Sequence, residues 1–112
     1  MRSPAQLAQD QLEAYNAKDL DAFCACYSPD VQVWHLPATA PSVQGLEQFR
    51  ARYAASSFAN PQQRAEVSQR MVSGNKVVDH EWVHGRGEQP ESVIVVYHCA
   101  QGLIEQVFFF TA

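Results

Sequence analysis

The sequence predicts a single α+β domain over residues 1–112, in which three N-terminal helices pack on a curved, mostly antiparallel sheet. Three observations carry that prediction. Apolar residues recur at helical spacing in the first half of the chain. They alternate at strand spacing in the second half, and short turn signals divide that half into hairpins. Helices first and a meander afterwards favour α+β over an alternating α/β arrangement.

The first helix opens on Ser3-Pro4-Ala5-Gln6, with a capping serine, a proline at the first helical position and a glutamine at the capping-box position. Ala8, Leu12 and Tyr15 form its apolar stripe. Asp19 caps a second helix with the stripe Leu20, Phe23, Cys24 and Tyr27, and Ser28-Pro29-Asp30 stops it. Val31 to Leu36 reads as a short strand, followed by a loop at 37–42. A third helix begins near Gly45, carries Leu46, Phe49 and Tyr53, and ends before Asn60-Pro61. Arg64–Ser73, Lys76–His84, Glu91–Cys99 and Leu103–Thr111 are the remaining strands, separated by Ser73-Gly74-Asn75, the loop 85–90 and Gln101-Gly102. No repeat, linker or low-complexity stretch interrupts the chain.

Composition narrows the function classes. Apolar residues make up 46% and charged residues 18%, a globular balance, and the net charge of −4 includes no basic run for nucleic acid or anionic lipid. Neither partner is expected. No stretch approaches the roughly 18 apolar residues of a membrane helix, and the N-terminus lacks the pattern of a signal peptide. Cys24, Cys26 and Cys99 read as reduced thiols in a cytoplasmic protein.

The last two strands are apolar on both faces. One layer of helices covers only one face, so Trp82, Ile94, Val96, Phe108 and Phe110 would remain in water. A patch of that kind marks an interface, and a homodimer through the sheet is expected.

His80-Glu81-Trp82-Val83-His84 is a literal H-E-x-x-H, a zinc motif when helical. Its flanks and its alternation fit a strand, which would hold the two histidines roughly 13 Å apart. One zinc ion needs nitrogens about 2.0–2.1 Å away. No metal and no cofactor are expected.

Tyr15-Asn16-Ala17-Lys18-Asp19-Leu20-Asp21-Ala22-Phe23 followed by Tyr27-Ser28-Pro29-Asp30-Val31 resembles the opening of the NTF2-like superfamily, which includes SnoaL-like polyketide cyclases and ketosteroid isomerases. Gly45-Leu46-Glu47-Gln48-Phe49-Arg50 is similar to the start of its third helix, and Gly102 to Val107 to its last hairpin. The resemblance implies a cone-shaped fold enclosing a pocket, with the convex sheet face forming a dimer. It does not extend to the isomerase chemistry. Aligned to those members, His35 takes the place of the catalytic carboxylate, Gln11 that of the oxyanion-binding tyrosine and Val95 that of the protonated aspartic acid.

The resemblance would aim Asp79, Glu81 and Val83 into the cone, with His35, Tyr97 and Gln69 facing the same space. Val33, Met71, Val95, Val107 and Phe109 complete the expected lining. A carboxylate so enclosed is desolvated and its pKa rises, which suits acid–base work, and His35 titrates near neutrality. His35 and Glu81 are therefore the candidate catalytic pair, while Tyr97 reads as a core residue with a bonded hydroxyl. The expected function is a pocket for a small, largely apolar molecule, either in a cofactor-independent isomerase, cyclase, dehydratase or hydrolase, or in a non-catalytic ligand-binding or protein-association module.

Overall fold

A computed structural model describes residues 1–111. Helices α1 (Pro4–Ala17) and α2 (Leu20–Cys24) precede strand β1 (Tyr27–His35), and a two-residue strand β2 (Val43–Gln44) leads into α3 (Leu46–Ala55). A 3-10 turn (Ser57–Ala59) and strands β3 (Arg64–Ser73), β4 (Lys76–His84), β5 (Glu91–Ala100) and β6 (Leu103–Thr111) complete the chain.

Local chemistry fixes the helix ends. The Ser3 side chain accepts from the Gln6 N–H at 3.2 Å, with Pro4 in the first turn. Helix α1 ends where Lys18 turns left-handed at φ 59°. Asp19 then caps α2 by accepting from the Ala22 N–H at 3.1 Å.

The sheet runs β2-β1-β6-β5-β4-β3, and every neighbouring pair is antiparallel except β1 with β6. Its concave side meets the helices in a core that includes Leu7, Phe23, Phe49, Val31, Val77 and Val95.

Three expectations about elements are corrected. Helix α2 stops at Cys24, so Tyr27 belongs to β1 rather than to a helical stripe. Tyr27 follows Phe23 by four residues, and its aromatic ring suits a strand equally well. Ser28-Pro29-Asp30 lies inside β1, not before it, and the β1–β6 register shifts between Tyr27 and Gln32. A proline without an N–H fits such an irregular stretch. Finally, Val43–Gln44 pairs with β1, where the sequence offered only a loop leading to a helix.

The most consequential correction is in β3. Val67 pairs with Glu81 but Gln69 pairs with His80, so the register shifts at Ser68. A bulge inserts one residue and reverses the facing of those beyond it. Arg70 then shares the concave face with its partner Asp79, while Gln69 and Met71 turn to the convex side, Met71 at 66% exposure. Neither lines the expected pocket.

Candidate functional site

A cavity of about 240 Å³ opens between the helices and the concave face. Among the predicted residues, His35, Glu81, Tyr97, Val33, Val83, Val107 and Phe109 line it. Asp79 and Val95 face the same side but are fully buried outside the lining.

Glu81 sits on the floor because alternation along β4 turns Val77, Asp79, Glu81 and Val83 inward. A hydrogen-bond chain ends on it. Tyr27 donates its hydroxyl to Gln11 Oε1 at 2.9 Å, Gln11 Nε2 donates to the Tyr97 hydroxyl oxygen at 3.1 Å, and Tyr97 donates to Glu81 Oε2 at 3.2 Å. The Gln11 amide is held in this orientation because Nε2 also donates to the Ala8 carbonyl at 2.9 Å. Burial pushes the Tyr27 and Tyr97 phenols well above their usual range, so both remain protonated donors.

The Glu81 carboxyl is pushed up to about 7, first by burial and then by the neighbouring Asp79 carboxylate, against the opposing Tyr97 hydrogen bond and Arg70 charge. Its Oε1 has no hydrogen-bond partner among the described residues. At neutral pH the group holds or releases a proton with little bias, which suits general acid–base transfer.

Asp79 is a different group. Arg70 grips it with Nε on Oδ1 at 2.7 Å and Nη2 on Oδ2 at 3.0 Å, and Arg70 Nη1 also donates to Gln9 at 3.0 Å. This ion pair closes the space beside the cavity.

His35 is at the mouth, not the floor. Its ring is exposed and stacks on Phe109 with centroids 5.1 Å apart. Partial burial, then the Arg52 and Arg86 guanidiniums, lower its pKa and keep it neutral. Glu81 lines the same cavity, and the charges acting on it are those of Asp79 and Arg70.

Sequence reasoning missed several lining residues with chemistry, Tyr27 among them. Gln11 was noted only as a departure from the isomerase pattern. Tyr53 read as core on the α3 stripe, yet it lines the cavity and its hydroxyl has no partner among the described residues. Arg52 and Arg86, at the mouth, were not singled out by the sequence.

His80 and His84 both lie in β4, on its convex-facing positions. His80 bonds Ser92 at 2.9 Å and Ser68 at 3.1 Å, and His84 meets Glu66 at 3.4 Å. The expected interface residues share that side. Ile94 and Phe110 are 37% and 44% exposed, while Trp82, Val96 and Phe108 are half-buried, Phe108 by stacking on Trp34. The face is also more polar than the apolar pattern suggested, because Gln32, Gln106 and His98 form a hydrogen-bonded row across it.

A family model described as a SnoaL-like domain matches residues 8–107. The chain belongs to the SnoaL-like family of the NTF2-like superfamily. Solved structures agree on the fold of this SnoaL-like chain. An uncharacterised cystatin-fold protein from Novosphingobium aromaticivorans is 25% identical with a TM-score of 0.85, covering 97% of this chain and 98% of that one. A candidate polyketide cyclase from Sinorhizobium meliloti is 22% identical with a TM-score of 0.79, covering 92% of each chain. A candidate ketosteroid isomerase from Kribbella flavida is 20% identical with a TM-score of 0.80, covering 95% of this chain and 75% of that one. No curated protein matches the sequence. No helix of the described residues is long and apolar enough to cross a membrane.

Proposed function

We propose that this SnoaL-like protein is a cofactor-independent acid–base enzyme of the isomerase, cyclase or dehydratase type, acting on a small, largely apolar molecule in its cone-shaped interior. The observation that carries this reading is Glu81, a buried carboxyl with one oxygen unengaged in an otherwise largely apolar cavity. Glu81 takes a proton from a carbon next to a carbonyl and returns it elsewhere on the substrate. The Tyr53 hydroxyl donates to the carbonyl oxygen as charge builds there, since burial raises its pKa and keeps it protonated. Tyr27, Gln11 and Tyr97 hold the Glu81 carboxyl in place, and His35 contacts the substrate at the mouth as a neutral ring.

The test follows exchange of the α-protons of 2-tetralone for deuterium by NMR. Wild type is expected to accelerate exchange, Glu81→Gln to lose that acceleration by about 10² or more, and Tyr53→Phe to lose part of it. Exchange unchanged in Glu81→Gln would sink the assignment. A second reading, a non-catalytic binding module, is favoured by Gln11 and Val95 standing where the isomerases have an oxyanion-binding tyrosine and a protonated aspartic acid. Binding of 2-tetralone without any exchange would select it.

A second copy of the chain is proposed on the convex face, where Ile94 and Phe110 stand in solvent beside Trp82, Val96 and Phe108. Sedimentation should give twice the chain mass, and Phe110→Glu should give monomer. A monomeric wild type overturns the dimer. The three buried cysteines, all free, fit a reducing compartment, and a cytoplasmic location is part of the proposal.

A further inference from the structure

The cavity has two electrical poles. Its floor carries Glu81 with Asp79 behind it. Its mouth carries two guanidiniums delivered by separate elements, Arg52 from α3 and Arg86 from the loop after β4. In a chain of net charge −4, two cations converging on the opening of an apolar chamber run against the general balance.

Neither cation is consumed by structure. Arg52 makes one hydrogen bond, to the Ser42 carbonyl at 3.2 Å, and no carboxylate pairs with it among the described residues. Among the described residues Arg86 has only Glu91, at 3.5 Å and with both side chains about half exposed. Yet the backbone holds Arg86 in position. At Gly85 φ is +93°, and a Cβ would lie 2.1 Å from the Gln62 carbonyl oxygen, so only glycine lets the chain leaving β4 pass this close. Asn60 Nδ2 donates to the Gly85 carbonyl at 3.0 Å and pins the crossing. Both arginines line the cavity together with His35, whose pKa their charges lower.

We infer that the natural ligand is an apolar monoanion, a ring or chain carboxylic acid, whose carboxylate lies between Arg52 and Arg86 at the mouth while its apolar body enters the cavity. Guanidinium forks match a carboxylate in geometry and charge. Val83, Val107 and Phe109 line the wall along which the body lies, and the end remote from the carboxylate meets Glu81 and Tyr53. The reverse orientation would bring the carboxylate against the Glu81 carboxyl and away from both guanidiniums. The inference rests on the reading of the cavity as the binding site, and it adds both the class of ligand and its direction.

The test compares 2-naphthylacetic acid with 2-naphthylacetamide, equal in shape and different in charge, by calorimetry at pH 7.5 and low salt. Displacement by 2-tetralone reports that each probe occupies the cavity. The acid is expected to bind about tenfold or more tightly than the amide. The double variant Arg52→Gln, Arg86→Gln should erase that preference and leave the amide affinity in place, and high salt should weaken only the acid. Both arginines are exposed, so these substitutions leave the core intact. If acid and amide bind equally and the double variant changes neither, the anionic ligand is wrong and the cavity reading stands. If neither probe nor 2-tetralone binds, the cavity reading falls and takes this inference with it.

Discussion

Asp79 and Glu81 lie two residues apart on the same strand, face the same side and are both buried, at 0% and 7% exposure. They form two quite different regions. Around Asp79 the space is closed, because Arg70 engages both carboxylate oxygens and turns its remaining nitrogen to Gln9. Around Glu81 the space is open, and a single phenol donates to one oxygen. One arginine separates a carboxylate with both oxygens engaged from one with a single oxygen engaged. That arginine faces inward only because the bulge at Ser68 reverses the phase of β3.

The largest effect expected comes from removing this arginine. Arg70→Met leaves Asp79 buried without its cation, and breaking such a pair costs about 3–5 kcal/mol. Chemical denaturation checks it. A loss under 1 kcal/mol would mean that Asp79 finds water or another donor and that the two regions differ less than their geometry indicates.

The next concerns pH. Glu81 is raised in the folded state, from 4.5 to about 7. The protonated form is therefore favoured by folding, and its stabilising contribution is complete below pH 4.5. That contribution is lost as pH rises from there to about 7, and is level above. The span is worth ~3 kcal/mol at most. Denaturation midpoints of wild type and Glu81→Gln measured across this range should diverge accordingly, with the variant gaining relative stability as pH rises. Parallel profiles would place the Glu81 carboxyl in contact with water.

The smallest effect tests the bulge itself. Met71 points away from the cavity, so Met71→Glu should change stability by no more than about 0.5 kcal/mol. A loss above 2 kcal/mol, typical of disturbing a packed methionine, would restore Met71 to the interior and remove the reason for Arg70 being there.

Much of this contrast was legible in the sequence. Unbroken alternation from Lys76 to His84 put Asp79 and Glu81 on one face, the family resemblance turned that face inward, and capping residues fixed where α1 and α2 begin. A bulge leaves no comparable mark. Arg64 to Ser73 reads as one continuous alternation, so Gln69 and Met71 seemed to face inward and Arg70 outward. Tyr27 satisfied helical and strand periods alike, which hid its place at the start of the hydrogen-bond chain. Arg52 and Arg86 were beyond reach for another reason. A charged residue on a short helix or in a loop looks solvated until the fold brings the two together, and nothing local to either residue announces the other.

The parallel pairing of β1 with β6 bears on how the cavity comes into being. Strands β3 to β6 are joined by short connections and zip up locally, but β1 must wait for the strand at the opposite end of the described chain. Closing so long a loop carries an entropic cost that near-neighbour contacts avoid, and such contacts form late. Val33 and His35 ride on β1, and Val107 and Phe109 on β6. The wall of the chamber is thus completed by the strand pairing most distant in sequence, so a partly folded chain with a nearly finished sheet would still have nowhere to hold a ligand.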